Sequence, residues 1–493
     1  MKNLNIALII SLFLFGSCSD LLDVSPTSVI TTESFWKSEG DAEGALIGMY
    51  VNLRSISTST LYYLGEARAD VVTLGTVGDG GWSKYYMNRL QPDDAGPSWQ
   101  SLYTLVNSAN LILKYVPEID FASEDRKNTI LAEAYAMRAF TYFVMTRTWG
   151  DLPLRMDPTE SENPEFTQIE RTAQSEIFQF IKEDIDQALQ LFSDNNYAEN
   201  KMFWSKPATS ALKGEVYLWT AKQMEGGSAD FQTALDAFED IQTTNISLLD
   251  NYEDVFKYEN KGNDEILMAV RFAELESAGN NYFNAMYLIG SAIPTNISDE
   301  AKETIGAIGG GSNNITVPTE YVKSLFTNDD QRKDASFYEI FTIGEEDALT
   351  YYTTIVTKGS GTVIGGSRNF IDDIILYRYA DVLLMIAEAK NALGEDPSME
   401  INQVRMRAYG DQYSNYAFTS GTIEENDEII LEERLRELAF EGKRWWDLVR
   451  FNKAIEMLPS LSEKDDPEQK ILWPISTAVL SLENKIVQNP GYQ

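Results

Sequence analysis

The densest concentration of reactive side chains in the 493-residue chain lies in "ERLRELAFEGKRWWDLVRF", residues 433–451. Glu433, Arg434, Glu437, Glu441, Arg444, Asp447 and Arg450 all fall within it. Paired carboxylates of this kind are what a glycoside hydrolase needs, one as acid and one as base or nucleophile. Their spacing has a simpler reading. Glu432 and Arg436 stand four residues apart, one helix turn, and the other charges alternate around Leu435, Leu438, Trp445 and Leu448. That is the pattern of a scaffold helix with internal ion pairs. The chain contains no histidine and one cysteine, Cys18. The usual general base near neutral pH, the triad partner and the commonest zinc ligand are therefore missing.

What survives is carboxylate chemistry, oxygen-ligated cations or no chemistry, and in the last case binding, of a sugar for example, has its own requirements. Flat aromatic faces stack on the C–H face of a pyranose, while amides, carboxylates and guanidinium groups bind its hydroxyls. Such groups belong on loops held by a scaffold. "TVGDGGWSKYYMNR" (76–89) is a glycine-rich loop carrying Trp82, Tyr85 and Tyr86, with Asp79, Lys84, Asn88 and Arg89 as polar partners. "SAGNNYFNAMYLIG" (277–290) offers Tyr282, Phe283 and Tyr287 among Asn280, Asn281 and Asn284. This second cluster reads either as a binding surface or as a local minicore under a long loop. Two further segments carry less. The glycines at 309–311 lack the Gly-Lys-Ser/Thr ending of a phosphate loop and read as flexible loop. "TNDDQRKD" (327–334) could ligate Ca²⁺, but its spacing is not that of an EF-hand, and a solvated turn is expected instead. No cofactor is implied.

These loops need elements to position them, and helical periodicity dominates. Apolar residues recur at three- and four-residue intervals over 43–54, 98–116, 125–150, 175–192, 206–224 and 231–242. They recur again over 377–394, 399–410 and 428–451, the last predicted as one helix. Between them, 264–272 and 348–359 read as strands, and 306–318 as a glycine-rich loop. The expectation is a mostly α fold of tetratricopeptide-like helix pairs, divided into a helical part (18–245), a mixed loop and strand region (246–376) and a second helical part (377–493). The net charge of −36 disfavours nucleic acid and anionic lipid as partners.

At the N-terminus, Lys2 precedes the apolar run Ile6–Phe15, and Gly16 and Ser17 lead into Cys18. A charged start, a short apolar stretch and small residues describe a secretory signal, residues 1–17. A cysteine directly after the small pair is what a lipoprotein signal requires. Cys18 is expected to carry acyl chains that anchor the mature chain to a membrane, each buried CH₂ contributing about 0.8 kcal/mol.

Six blocks in order resemble the SusD/RagB family: "CSDLLDVSP", "LAEAYAMRAFTYFVMTRTWGDLPL", "RYADVLLMIAEAKNALGE", "INQVRMRA", "ILEERLRELAFEGKRWWDLVRF" and "WPISTAVLSLENKIVQNPGYQ". The resemblance implies four tetratricopeptide-like helix pairs with an irregular region, in a lipid-anchored protein on the outer-membrane surface. It also implies a lid on a SusC-like TonB-dependent barrel, glycan as cargo (oligopeptide in some members), and no catalysis. A helical glycoside hydrolase stays as the remote alternative. Within the family the 433–451 motif is scaffold, and the 76–89 loop sits where glycan-binding members carry aromatics. Trp82, Tyr85, Tyr86, Asn88, Asp79, Tyr282, Tyr287 and Asn281 are the expected binding residues.

Overall fold

The computed structural model describes residues 35–76, 78–276, 279–306 and 310–493. Cys18 and the signal segment lie outside the described residues. The periodic segments become helices α1 (Glu39–Ser57), α2 (Gln100–Tyr115), α3 (Glu124–Trp149), α4 (Gln174–Leu191), α5 (Lys206–Gln223) and α6 (Gly227–Gln242). After the mixed region come α7 (Tyr379–Leu393), α8 (Ser398–Tyr409), α9 (Ile423–Leu438) and α10 (Arg444–Arg450). α1 packs on α2, α3 on α4, α5 on α6 and α7 on α9, and successive pairs stack through α2–α3, α4–α5 and α6–α7. This is the expected scaffold of four helix pairs.

Local chemistry explains the boundaries. Ser123 Oγ accepts the Arg126 N–H at the start of α3, and Thr422 forms a capping box with Glu425 at the start of α9. Gly150 and Gly394, both at positive φ, end α3 and α7. α3 runs through the middle of the scaffold, with Ala132, Ala134, Ala136 and Ala139 all buried where neighbours approach. α5 and α6 meet so closely that a Cβ on Gly214 would sit 2.1 Å from the Phe238 ring.

One predicted helix is two. The pattern over 428–451 breaks between α9 and α10, where Phe440 (φ 68°) and Gly442 (φ 75°) are left-handed. The cause is Glu66, buried on a distant segment, whose carboxylate accepts N–H groups from Phe440 (2.6 Å), Gly442 and Lys443 (3.3 Å). Helical continuation would leave that carboxylate without donors in the interior.

The mixed region forms small antiparallel pairs. Strand β1 (Val72–Leu74) pairs with β5 (Thr316–Pro318), β2 (Ile266–Val270) with β10 (Ile374–Arg378), and β6 (Phe337–Ile343) with β7 (Leu349–Val356). β3 (Leu288–Ile289) pairs with β4 (Gly310–Asn313), so part of the predicted glycine loop is a strand. β8 (Thr362–Ile364) and β9 (Ser367–Asn369) complete the set. The segment 327–334 begins as the expected exposed turn, with Thr327, Asn328, Asp329, Gln331 and Asp334 at the surface, but two of its residues point inward. Asp330 and Arg332 are buried and paired at 2.8 Å, so Asp330 is engaged and not presented to a cation.

A buried ionic cluster joins the two regions. Arg332, Lys358, Arg378, Arg405 and Arg407 face Glu265, Asp330, Glu433, Glu437 and Glu441. Five cations meet five carboxylates, and Arg436, itself paired with Glu432, adds a contact to Glu433 at 3.6 Å, a balance that lets so much charge stay buried. Beside it, Arg450 clamps Glu388 with two bonds of 2.9 Å and also bonds Asp447. The scaffold reading of the 433–451 motif is therefore correct.

These groups set a pH dependence. Burial alone would raise the Glu388 carboxyl, but Arg450 and Lys222 outweigh it and hold it at about 2. Burial likewise opposes Arg147 and Lys443 at Glu215, which also ends at about 2. Both are depressed, so their stabilisation is present above the unfolded value near 4.5 and lost as pH falls towards 2. Glu66 goes the other way. Burial raises it to about 8 against the N–H donors from Phe440, Gly442 and Lys443, and Glu133 rises by burial to about 7. A raised carboxyl costs stability as pH climbs from its unfolded value through its folded one. The melting temperature is expected to peak near pH 5, falling steeply below pH 4 and gently from pH 6 to 8. A scanning-fluorimetry series from pH 3 to 9 checks this, and a flat profile below pH 4 would refute the buried pairs.

Candidate functional site

The described residues bring the two sequence-predicted aromatic clusters together, but inside the molecule. The Asp79 carboxylate accepts the Gly81 N–H (3.0 Å) and its carbonyl accepts the Trp82 N–H (2.7 Å), folding the loop back on itself. Trp82 is only 6% exposed and packs against Tyr63 (4.8 Å between centroids) and Tyr62 (5.8 Å). Tyr85 stacks on Tyr63 at 4.7 Å and lies against Trp473. Tyr62 in turn meets Tyr282 at 4.2 Å, and Tyr282 stacks on Phe283. One continuous aromatic core thus links the two loops through the short helix Thr60–Gly65.

For the second cluster this is the minicore alternative, and in the first loop Trp82 and Tyr85 are packed as well, against the expectation of an exposed binding platform there. Trp82, Tyr85, Tyr282 and Tyr287 are core side chains. The Tyr287 hydroxyl donates to the carbonyl of Ile305 at 2.9 Å. Asn88 is buried at φ 49° and accepts from Arg68 Nε (2.8 Å), while its amide donates to Ser460 Oγ (3.0 Å). Arg68 has no carboxylate partner among the described residues. It donates to the Lys470 and Ile471 carbonyls and lies over Trp445 at 4.2 Å. Asn281 is exposed and lines no groove, and Asp79 is half-buried in its own turn. Trp82→Ala is expected to cost about 3–5 kcal/mol of stability, the usual price of emptying a buried aromatic site. Equilibrium denaturation checks this, and a loss below about 1 kcal/mol would mean that the ring is not core.

Tyr86 alone among the predicted aromatics reaches an open surface. It lines a groove of about 380 Å³ together with Tyr321, Val72, Thr73 and Met457–Ser460. Tyr321 is 38% exposed. Burial raises both phenols, with Asp79 adding to the effect at Tyr86, so both are neutral at physiological pH.

The groove is built by pairing two distant segments. The β1–β5 ladder sets Val72 opposite Pro318, and the Thr319 N–H donates to the Val71 carbonyl at 2.9 Å. Thr319 Oγ1 donates to the Asp70 carbonyl (2.7 Å) and accepts the Val322 N–H, capping the short helix that carries Tyr321. Ser460 Oγ donates to the Tyr86 carbonyl (3.1 Å), fixing that residue's backbone. The floor carboxylate, Asp70, is held by Arg444 through two bonds of 2.9 Å. Asp70, Thr319 and Ser460 are therefore all engaged with the protein itself. What the groove offers a ligand is mainly aromatic and aliphatic surface. Sequence reading missed Tyr321, Met457 and Pro459.

Two internal cavities of about 40 and 50 Å³ share Tyr282, Ile374 and Glu441. A water needs about 10–15 Å³ of such space, so each has room for a few waters. Among the described residues no cluster of three metal-ligating side chains occurs. Nor is any described helix long and apolar enough to cross a membrane.

The described residues thus form a stack of helix pairs with an aromatic-lined groove whose side-chain polar groups Asp70, Thr319 and Ser460 are already engaged. The chain belongs to the SusD family, whose sequence model matches residues 193–492. A second model, described as "Starch-binding associating with outer membrane", matches residues 20–218. Over its whole length the chain is 28% identical to SusD-like protein P38 of Formosa agariphila, covering 99% of that protein. NanU of B. fragilis superposes with a TM-score of 0.83 at 32% identity, over 95% of this chain and 100% of that one. A SusD superfamily protein from Bacteroides vulgatus gives 0.84 at 30% identity, over 93% and 100%. Neither family model is a catalytic one.

Proposed function

We propose that this protein captures a neutral oligosaccharide at the cell surface and delivers it to a SusC-like TonB-dependent transporter, over which it acts as a lid. The observation that carries the reading is the groove that Tyr86 and Tyr321 both line. Two part-exposed rings on rigid supports offer stacking faces, and the one floor carboxylate is neutralised by Arg444. Charge balance of this kind favours an uncharged ligand, because an isolated charge would have to be desolvated without compensation. The family model's starch-binding and outer-membrane description supports cargo class and location. In this reading Cys18 is lipidated and the helical body is tethered at the outer-membrane surface.

Affinity electrophoresis of residues 19–493 against neutral and acidic polysaccharides tests the binding. Retention by one neutral glycan class supports the reading. Failure to bind any glycan, with an oligopeptide pool bound instead, would move the cargo to peptide. Intact-mass analysis of membrane-extracted protein tests the anchor, since an unmodified N-terminus would exclude it. Co-purification of a barrel with the tagged full-length chain tests the transporter partnership.

A further inference from the structure

Strands β6 and β7 form a two-stranded ribbon whose two faces differ. On one face the Tyr352 hydroxyl donates to the Ala292 carbonyl at 2.7 Å. Successive residues alternate between faces, and the register pairs Phe341 with Tyr351 and Ile343 with Leu349, so these four side chains share the other face. There Phe341, Tyr351 and Leu349 are exposed, Leu349 by 69%, and Ile343 is half-buried. We propose that this face docks on the extracellular rim of the SusC-like transporter, meeting an apolar hollow edged with lysine or arginine. The inference rests on the lid reading and adds where the lid makes contact.

Single exposed apolar side chains are ordinary, but a contiguous set on one element marks an interface. The set is also held in shape. The Ile343 N–H donates to the Asn296 carbonyl (2.7 Å), and Asn296 Nδ2 donates back to the Ile343 carbonyl (3.0 Å), tying the ribbon to the body. The Gly344 N–H closes the turn on the Ala348 carbonyl at 2.8 Å. A surface fixed before its partner arrives loses less entropy on docking.

Its place in the fold selects the partner. The short helix Glu320–Ser324 gives Tyr321 to the groove, and two residues later Lys323 Nζ lies 4.7 Å from the Tyr351 ring. β7 also packs on β5, the strand that builds the groove. A lid that releases cargo from this groove turns it towards the barrel mouth, and the ribbon beside the groove then faces the barrel's rim.

Charge selects it as well. The ribbon and this helix carry five carboxylates, Glu320, Glu339, Glu345, Glu346 and Asp347, against one lysine, Lys323. Lys323 bonds Glu320 (2.6 Å) and Glu339 (3.1 Å), which leaves the exposed tip acidic. A second copy of the chain would bring the same carboxylates against these, and an anionic lipid surface would be repelled too. A basic protein rim gains from both the charge and the apolar face. A glycan is served less well, because the Phe341 and Tyr351 rings stand at 75° and share no flat platform.

The test is co-purification of the barrel with the tagged full-length chain from its own cells. Two variants are compared with the unsubstituted protein: Phe341→Ser with Leu349→Ser, and Glu345→Lys with Glu346→Lys and Asp347→Lys. Each is expected to lower the recovered barrel at least about tenfold, as loss of central contacts in an interface does. Melting temperature and polysaccharide retention should stay unchanged. The tip variant keeps the test decisive should the serine variant fold poorly. Undiminished barrel with the folded variants would overturn the proposal. So would lost polysaccharide retention, which would make the ribbon a glycan platform, or a dimer in light scattering that the serine variant dissolves. Absence of barrel from the unsubstituted protein is a different failure, because it removes the lid reading itself and this inference with it.

Discussion

Arg378→Ala is expected to lower the stability of the protein by about 3–5 kcal/mol, enough to leave much of it unfolded under mild denaturant. Arg378 is 1% exposed and bonds Glu265 (2.9 Å), Glu437 (2.6 Å) and Glu441 (2.8 Å), with a further bond to the Glu437 carbonyl. Removing it leaves Glu441 with Lys358 and Glu265 with Arg407, while the cluster as a whole keeps a carboxylate in excess. That surplus negative charge is buried, and desolvation makes it expensive. Position matters as much as charge. Arg378 ends β10 and directly precedes α7, and its carboxylate partners come from the start of β2 and the end of α9. Losing it loosens the seam between mixed region and scaffold. The control is Lys302→Ala, which breaks an exposed pair with Asp299 and should cost under about 0.5 kcal/mol. Guanidinium denaturation curves of both variants decide the matter, and similar midpoints would refute the cluster's role.

The helices were legible because each carries its own periodicity, so α2 and α5 fall within two residues of the predicted spans. The break between α9 and α10 was not, because its cause, Glu66, lies more than 370 residues earlier in the chain. The buried Asp330–Arg332 pair within an otherwise exposed turn was hidden in the same way. Eight mostly polar residues look solvated until Glu433 and Glu437 are brought against them. The site failed more instructively. Glycines at 78, 80 and 81 do make a turn, but Tyr62 and Tyr63 supply a packing surface for Trp82 and Tyr85, and that short helix carries no marker of its role. Tyr321 was invisible for a topological reason. Only the pairing of β1 with β5 carries it to the groove that Tyr86 lines. Residue type located one ring of the groove; long-range register supplied the other.

Tyr321→Ala is therefore expected to weaken glycan binding by at least about 2 kcal/mol, roughly thirtyfold in Kd, as truncation of a central aromatic contact does. Tyr86→Ala should act in the same direction. Tyr321→Phe separates face from hydroxyl. The phenol makes no hydrogen bond among the described residues, so if the ring face does the work, Phe should retain most of the affinity. Ionic strength separates cargo classes. With Asp70 neutralised by Arg444, affinity for a neutral glycan should change less than about twofold between low and physiological salt, whereas a charged cargo would be screened. Calorimetry on the polysaccharide class retained in electrophoresis measures all three effects. Unchanged affinity in both alanine variants would place binding elsewhere on the molecule. A steep salt dependence would instead keep the groove and replace the neutral glycan with a charged ligand.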